Sequence, residues 1–91
     1  MSKFYYVYVL FSEKDKNLYT GSTSDLKKRI TKHNSGLVKA TKTRVPVKLI
    51  FYEAYKNKFD ALRREDYFKT TKGGRSLKQM LKEFFRSNMS S

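Results

Sequence analysis

The chain opens on a run in which every second residue faces the same way. Residues 4–11, FYYVYVLF, are aromatic and β-branched, and alternation sets Phe4, Tyr6, Tyr8 and Leu10 on one face and Tyr5, Val7, Val9 and Phe11 on the other. Both faces are apolar or aromatic, which predicts a central strand covered on both sides. Residues 12–17, SEKDKN, form a polar turn, and residues 18–22, LYTGS, resume as a strand, giving a β-hairpin. Residues 47–55, VKLIFYEAY, predict a third strand, with Pro46 just before it, where a missing N–H costs nothing.

The remaining periodicities are helical. Leu26, Ile30 and His33 recur at helical spacing, with Thr23 or Ser24 as the cap, Asp25 in the first turn and Gly36 as the stop. Residues 36–46, GLVKATKTRVP, form a basic connection without clear period. Asn57 caps a second helix, with Asp60 in a capping-box-like position. That helix is expected over 58–71 with a stop at Gly73-Gly74, and Ala61, Leu62, Glu65 and Phe68 share one face. Ser76 and Gln79 predict the capping box of a third helix, whose stripe Leu77, Met80, Leu81, Phe84 and Phe85 reads as core packing. The last five residues, 87–91, read as a frayed tail. The expected fold is a single small α/β domain over 1–86, one small sheet, at least partly antiparallel, covered by helices in the order β-β-α-β-α-α.

Composition narrows the function. A chain of 91 residues holds one core, and its 7 Tyr and 7 Phe make that core aromatic. Cysteine is absent, which removes disulfides, thiol catalysis and Cys-ligated zinc and fits a cytoplasmic protein. The single His removes a multi-histidine metal centre. No apolar run approaches the ~20 residues of a membrane span, and the N-terminus lacks a signal-peptide pattern. The net charge of +13 is spread over the chain: 7 basic against 3 acidic residues in 1–35, 6 against 2 in 36–60 and 8 against 3 in 61–91. A compact body this positive favours a polyanion, and nucleic acid is the expected partner.

Several residues are odd for a mere basic surface. Glu65 lies on an apolar helix face, where a charge must be paired or bind a cation; a nearby Arg, or Lys69 one turn on, is the plain alternative. Tyr8 and Tyr19 sit on adjacent strands and can lie side by side, or serve only as core. Gly21 precedes a helix start, either as a bend or as a point where a phosphate approaches exposed amides. Arg29 and His33 share a helix face able to hold a phosphate.

Taken together, Tyr6-Val7-Tyr8, Tyr19-Thr20-Gly21, Arg29, His33 and the later Glu65 resemble the GIY-YIG nuclease family. The match is carried by FYYVYVLFSEKDKNLYTGSTSDLKKRITKHNSG and by ALRREDYFK, which looks like the family's glutamate helix, and it spans residues 4–72. It is closest to small stand-alone bacterial members labelled endonucleases or excinuclease C-subunit-like. The resemblance implies a compact α/β fold around a three-stranded antiparallel sheet flanked by helices. It also implies a metal-dependent endonuclease acting on DNA, with RNA as the other candidate, and one Mg2+ or Mn2+ ion held by Glu65; the expected substrate is branched, flapped or single-stranded. It makes Tyr8 and Tyr19 the motif tyrosines, one of which helps activate water. It makes Arg29 the arginine that steadies the scissile phosphate and His33 a proton shuttle or phosphate contact. A phenol is a poor base unless cations lower its pKa, and Arg29 with a metal is expected to lower it here.

The sequence departs from the family motif at Tyr6, in place of glycine, and at Thr20, in place of isoleucine. Tyr6 shares the face of Tyr8 and is expected to crowd the pocket. Ser22 follows Gly21 where the DNA-repair branch has lysine, and an asparagine after the glutamate helix is missing, its contact falling to Lys69 or Lys72. Nucleic-acid contacts are expected from Gly21, Ser22, Lys27, Lys28, Lys32, Lys39, Lys42, Arg44, Lys69, Lys72 and Arg75. The second reading is a catalytically weak or inactive nucleic-acid-binding module on the same fold; a third is a basic partner of an acidic protein or the ribosome. No specific signal sets the oligomeric state, monomer or weak dimer. If the site is real, Tyr8, Tyr19, Arg29 and Glu65 converge in one cleft.

Overall fold

In the computed structural model, which describes residues 3–89, a three-stranded antiparallel sheet is built from β1 (Tyr5–Ser12), β2 (Leu18–Thr23) and β3 (Val47–Tyr55) in the order β2-β1-β3. The two-sided apolar strand is the central one, as its pattern requires. Its even-numbered face carries Tyr8 and Leu10, packed with Val47 under Leu26 and Ile30 of α1 (Leu26–Asn34). Its odd-numbered face carries Val7 and Val9, packed with Ala61 and Phe68 of α2 (Lys58–Phe68) and Leu77 of α3 (Thr71–Met80). Phe11, on the same face, meets Phe84 of α4 (Lys82–Met89) edge-on at 5.3 Å. Val7, Val9 and Leu10 are fully buried, and each such side chain contributes about 1.5–3 kcal/mol. A bulge in β3 between the partners of Val9 and Leu10 lets Ile50 face the α2 side.

The helix boundaries differ from expectation in five places. Asp25, not Thr23 or Ser24, caps α1: its carboxylate accepts from the Lys28 N–H, while Thr23 Oγ1 accepts from the N–H of Asp25 itself. Asn57 caps α2, but the Asp60 carboxylate turns to Arg63 and does not close a capping box. The Gly73-Gly74 pair does not stop α2. That helix ends at Phe68, and Thr70 caps α3, with both glycines in its first turn. A Cβ on Gly73 would stand 1.7 Å from the Tyr67 carbonyl oxygen, so glycine is what allows the two helices to meet this closely.

The third helix also breaks at Leu81 into α3 and α4. Ser76 and Gln79 are therefore interior, and the stripe divides: Leu77 is core and Leu81 packs against it, whereas Met80 is exposed. Residues 87–89 continue α4 instead of fraying, while 90 and 91 lie outside the described residues. Among the described residues, no helix is long and apolar enough to cross a membrane.

Candidate active site

The β1–β2 register sets the geometry. Tyr8 pairs with Gly21 and Leu10 with Tyr19, so the two tyrosines are diagonal neighbours on the α1 face. A Cβ on Gly21 would stand 2.5 Å from the Tyr8 hydroxyl oxygen. Gly21, inside β2, therefore makes room for the phenol.

His33, from the last turn of α1, enters between the rings and is fully buried. Its ring lies edge-on to Tyr8 at 5.6 Å and to Tyr19 at 5.3 Å. Nε2 lies 2.8 Å from the Tyr8 hydroxyl and Nδ1 2.7 Å from Thr41 Oγ1. One turn earlier on α1, Arg29 donates from Nε to the Tyr8 oxygen at 3.3 Å. One proton arrangement fits all these contacts: Tyr8 accepts from Arg29 and donates to His33 Nε2, and His33 donates from Nδ1 to Thr41.

Two expectations change here. His33 has both ring nitrogens occupied and no exposure, so it contacts Tyr8, not a phosphate. Burial, with the Arg29 charge nearby, pushes its pKa down to about 4, and the imidazole is neutral at pH 7. Burial also raises the pKa of Tyr8, outweighing the lowering by the Arg29 hydrogen bond and charge. The expected net lowering is not present in the protein alone.

Glu65 comes from the third turn of α2, across the hairpin. Its Oε1 accepts from Ser22 Oγ at 2.8 Å and its Oε2 from Lys69 Nζ at 2.9 Å. The Lys69 partner anticipated one turn on is thus present, and its ammonium stands 5.9 Å from the centre of the Tyr19 ring. The Glu65 charge acts on both Tyr8 and Arg29, the hydroxyl and guanidinium on the other side of the hairpin. Among the described residues no group of three or more His, Asp or Glu side chains gathers. The Glu65 carboxylate already faces an ammonium and a hydroxyl. The groups here able to donate to a hard cation are the Glu65 oxygens and the Ser22 hydroxyl, and the Lys69 ammonium now holds Oε2.

The basic residues divide. Lys27, Lys28 and Lys32 are exposed on α1, where Lys28, Arg29 and Lys32 line a groove of about 150 Å3 with Thr23 and Asp25. Lys39 and Lys42 are exposed in the 36–46 connection, and Lys72 and Arg75 on α3. Arg44 is not a free surface cation: it pairs with Asp15 at 2.5 Å and donates to the Leu18 carbonyl, pinning the connection to the hairpin turn. Tyr6 does not crowd the Tyr8 hydroxyl, because its ring leans toward β3 and meets Tyr52 at 5.8 Å. Thr41 was missed: a threonine in an aperiodic basic stretch carries no pattern that marks it as fully buried.

Residues 4–78 match the family profile described as the GIY-YIG catalytic domain, six residues further than the motif resemblance alone. UPF0213 protein CPE1444 of Clostridium perfringens is 51% identical over 65 residues, 70% of this chain and 69% of that protein. UPF0213 protein SpyM50708 of Streptococcus pyogenes is 48% identical over 68 residues, 74% of this chain and 73% of its own. The solution NMR structure of UPF0213 protein BH0048 from Bacillus halodurans superposes with a TM-score of 0.53 at 36% identity, covering 85% of this chain and 84% of that one. Profile, relatives and fold agree over most of the chain's length, and the chain belongs to the GIY-YIG nuclease family, alongside these small bacterial proteins.

Proposed function

We propose that this protein is a divalent-metal-dependent endonuclease that hydrolyses DNA phosphodiester bonds, working in the cytoplasm. The observation that carries the reading is that two hydrogen-bonded clusters, Tyr8–His33–Arg29 on one side of the hairpin and Glu65–Ser22–Lys69 on the other, meet at Tyr19, whose ring contacts His33 at 5.3 Å and has the Lys69 ammonium 5.9 Å from its centre. Arg29 spends only Nε on Tyr8, which leaves its terminal nitrogens to grip two oxygens of the scissile phosphate. That grip draws the guanidinium off the Tyr8 oxygen and opens the phenol to water. Tyr8 then takes the proton of the attacking water as its own passes to the neutral His33. Tyr19, half-buried beside Lys69, lines the approach. Glu65 would hold a Mg2+ or Mn2+ ion, whose chemistry there is charge neutralisation at the phosphate and leaving oxygens. Lys69 takes up the Glu65 charge when that ion is absent.

Grooves on both flanks suit an extended strand. One is the α1 groove. The other, of about 350 Å3, is lined by Lys3, Ser22, Thr23 and Lys58. The second reading, a binding module without turnover, draws on one observation: the Tyr8 side chain is sealed and Glu65 is already paired. Incubation with labelled single-stranded, duplex, flap and four-way-junction DNA, and with RNA, in magnesium or manganese separates the two. Cleavage that EDTA abolishes is the expected result. Binding to every substrate without cleavage in either metal would leave the module.

A further inference from the structure

α1 covers only part of the sheet face that carries Tyr8. Leu26 and Ile30 pack on the half formed by Tyr8, Leu10, Val47 and Leu49. Beyond them the same face continues as Tyr6, half-buried, and Tyr52, exposed, neither of which belongs to the cluster under α1. Tyr52 pairs directly with Tyr8 across β1 and β3 and is 52% exposed. Tyr6, two residues from Tyr8, has Thr23 and Ala54 as its cross-strand neighbours, neither large enough to cover a ring. The two rings meet edge to face, with their planes at 67° and centres 5.8 Å apart. Phe4 continues the alternation, 39% exposed, with the Lys56 ammonium 5.0 Å from its ring centre.

We propose that Tyr6 and Tyr52 form a stacking platform for an unpaired nucleobase next to the scissile phosphate. Three observations fit this occupant. The rings stand on the same face as Tyr8, at strand positions about 5 Å away across the pair and about 7 Å along β1, while the Tyr8 hydroxyl leans the other way over Gly21, so the base they would take belongs to a nucleotide beside the phosphate held by Arg29. Lys56 supplies positive charge at the outer end, in a body of +13. The platform is a sheet surface rather than a closed cavity, so it takes any base by its flat face. A base stacked there cannot remain paired, so the platform selects single strands, flaps and junction arms over continuous duplex. This subsite rests on the nucleic-acid reading of the adjoining site but not on turnover.

The test is binding in EDTA, read by fluorescence anisotropy, with a labelled single strand and a blunt duplex of equal length. It is independent of cleavage. Tyr52→Leu and Tyr6→Leu keep apolar bulk and lose the π-face; each is expected to weaken single-strand binding about tenfold with little change for duplex. Tyr52→Phe is expected to restore it, and 2-aminopurine in the strand to be quenched by the native protein and not by Tyr52→Leu. Equal loss on both substrates, or no loss on either, would overturn the platform. So would a shift from dimer to monomer in sedimentation of Tyr52→Leu, which would make this face a self-association surface. If the protein binds no nucleic acid at all, the functional reading fails with it; if it binds and cuts but ignores the rings, only the platform fails.

Discussion

The hydroxyl of Tyr8 lies 2.8 Å from Nε2 of His33, and both side chains are fully buried. A phenol placed against a neutral imidazole has a defined place to send its proton, whereas Tyr19 shows no such contact. Tyr8→Phe keeps the ring against Gly21 and removes the proton path. It is expected to lower single-turnover cleavage by about 10²–10⁴-fold, with Tyr19→Phe costing less. Rate measurements on the two variants across pH 6–10 check this, and the basic limb should move in Tyr8→Phe alone.

Gly21→Ala tests the packing on which that contact depends. The new methyl would meet the Tyr8 oxygen at 2.5 Å and its ring carbon at 2.6 Å. The ring is held on its other side by His33, so it has little room to retreat. The expected cost is about 1–3 kcal/mol in urea unfolding, with cleavage falling together with stability.

His33 makes stability depend on pH. Its pKa is 6.5 when unfolded and about 4 when folded. Between those values the unfolded chain binds the proton and the native chain does not, so stability is whole above pH 6.5 and falls as pH drops toward 4. The loss is on the order of 2–3 kcal/mol. Urea midpoints at pH 7, 5.5 and 4.5 report it, and His33→Gln, which has no ring to protonate, should flatten the slope over that window.

Arg44 and Lys28 are both basic but serve different ends. Lys28 is exposed in the α1 groove, and Lys28→Ala should reduce the magnitude of the salt slope of DNA binding by about 1. Arg44→Ala should leave that slope unchanged and lower the thermal midpoint, because its guanidinium holds Asp15 and the Leu18 carbonyl. Binding titrations from 50 to 300 mM salt, with a melting curve for each variant, separate the roles.

The sheet was legible because strand alternation is a local signal. The apolar faces of β1 and the run of β3 need no knowledge of partners. The break between α2 and α3 was not, since a Gly-Gly pair ordinarily ends a helix. Only the closeness of the Tyr67 carbonyl explains why glycine stands inside α3. In the site, spacing brought out Tyr8, Tyr19, Arg29, His33 and Glu65. It could not give the depth of His33, because depth depends on Thr41 folding over it from a stretch without pattern. The pairing of Arg44 with Asp15 spans 29 residues between two loops and was equally hidden. Tyr6 and Tyr52 are 46 positions apart, and only the β1–β3 register brings them together.

The central claim is that Glu65 serves chemistry rather than packing. Glu65→Gln keeps the shape of the side chain and can still accept from Ser22, so the fold should persist, with a melting temperature within a few degrees of the native protein. The most direct measurement is the single-turnover cleavage rate of this variant against the native chain on the preferred DNA in saturating magnesium. A loss of at least about 10²-fold with DNA binding retained is the expected result. A rate unchanged in a folded Glu65→Gln protein would contradict the account.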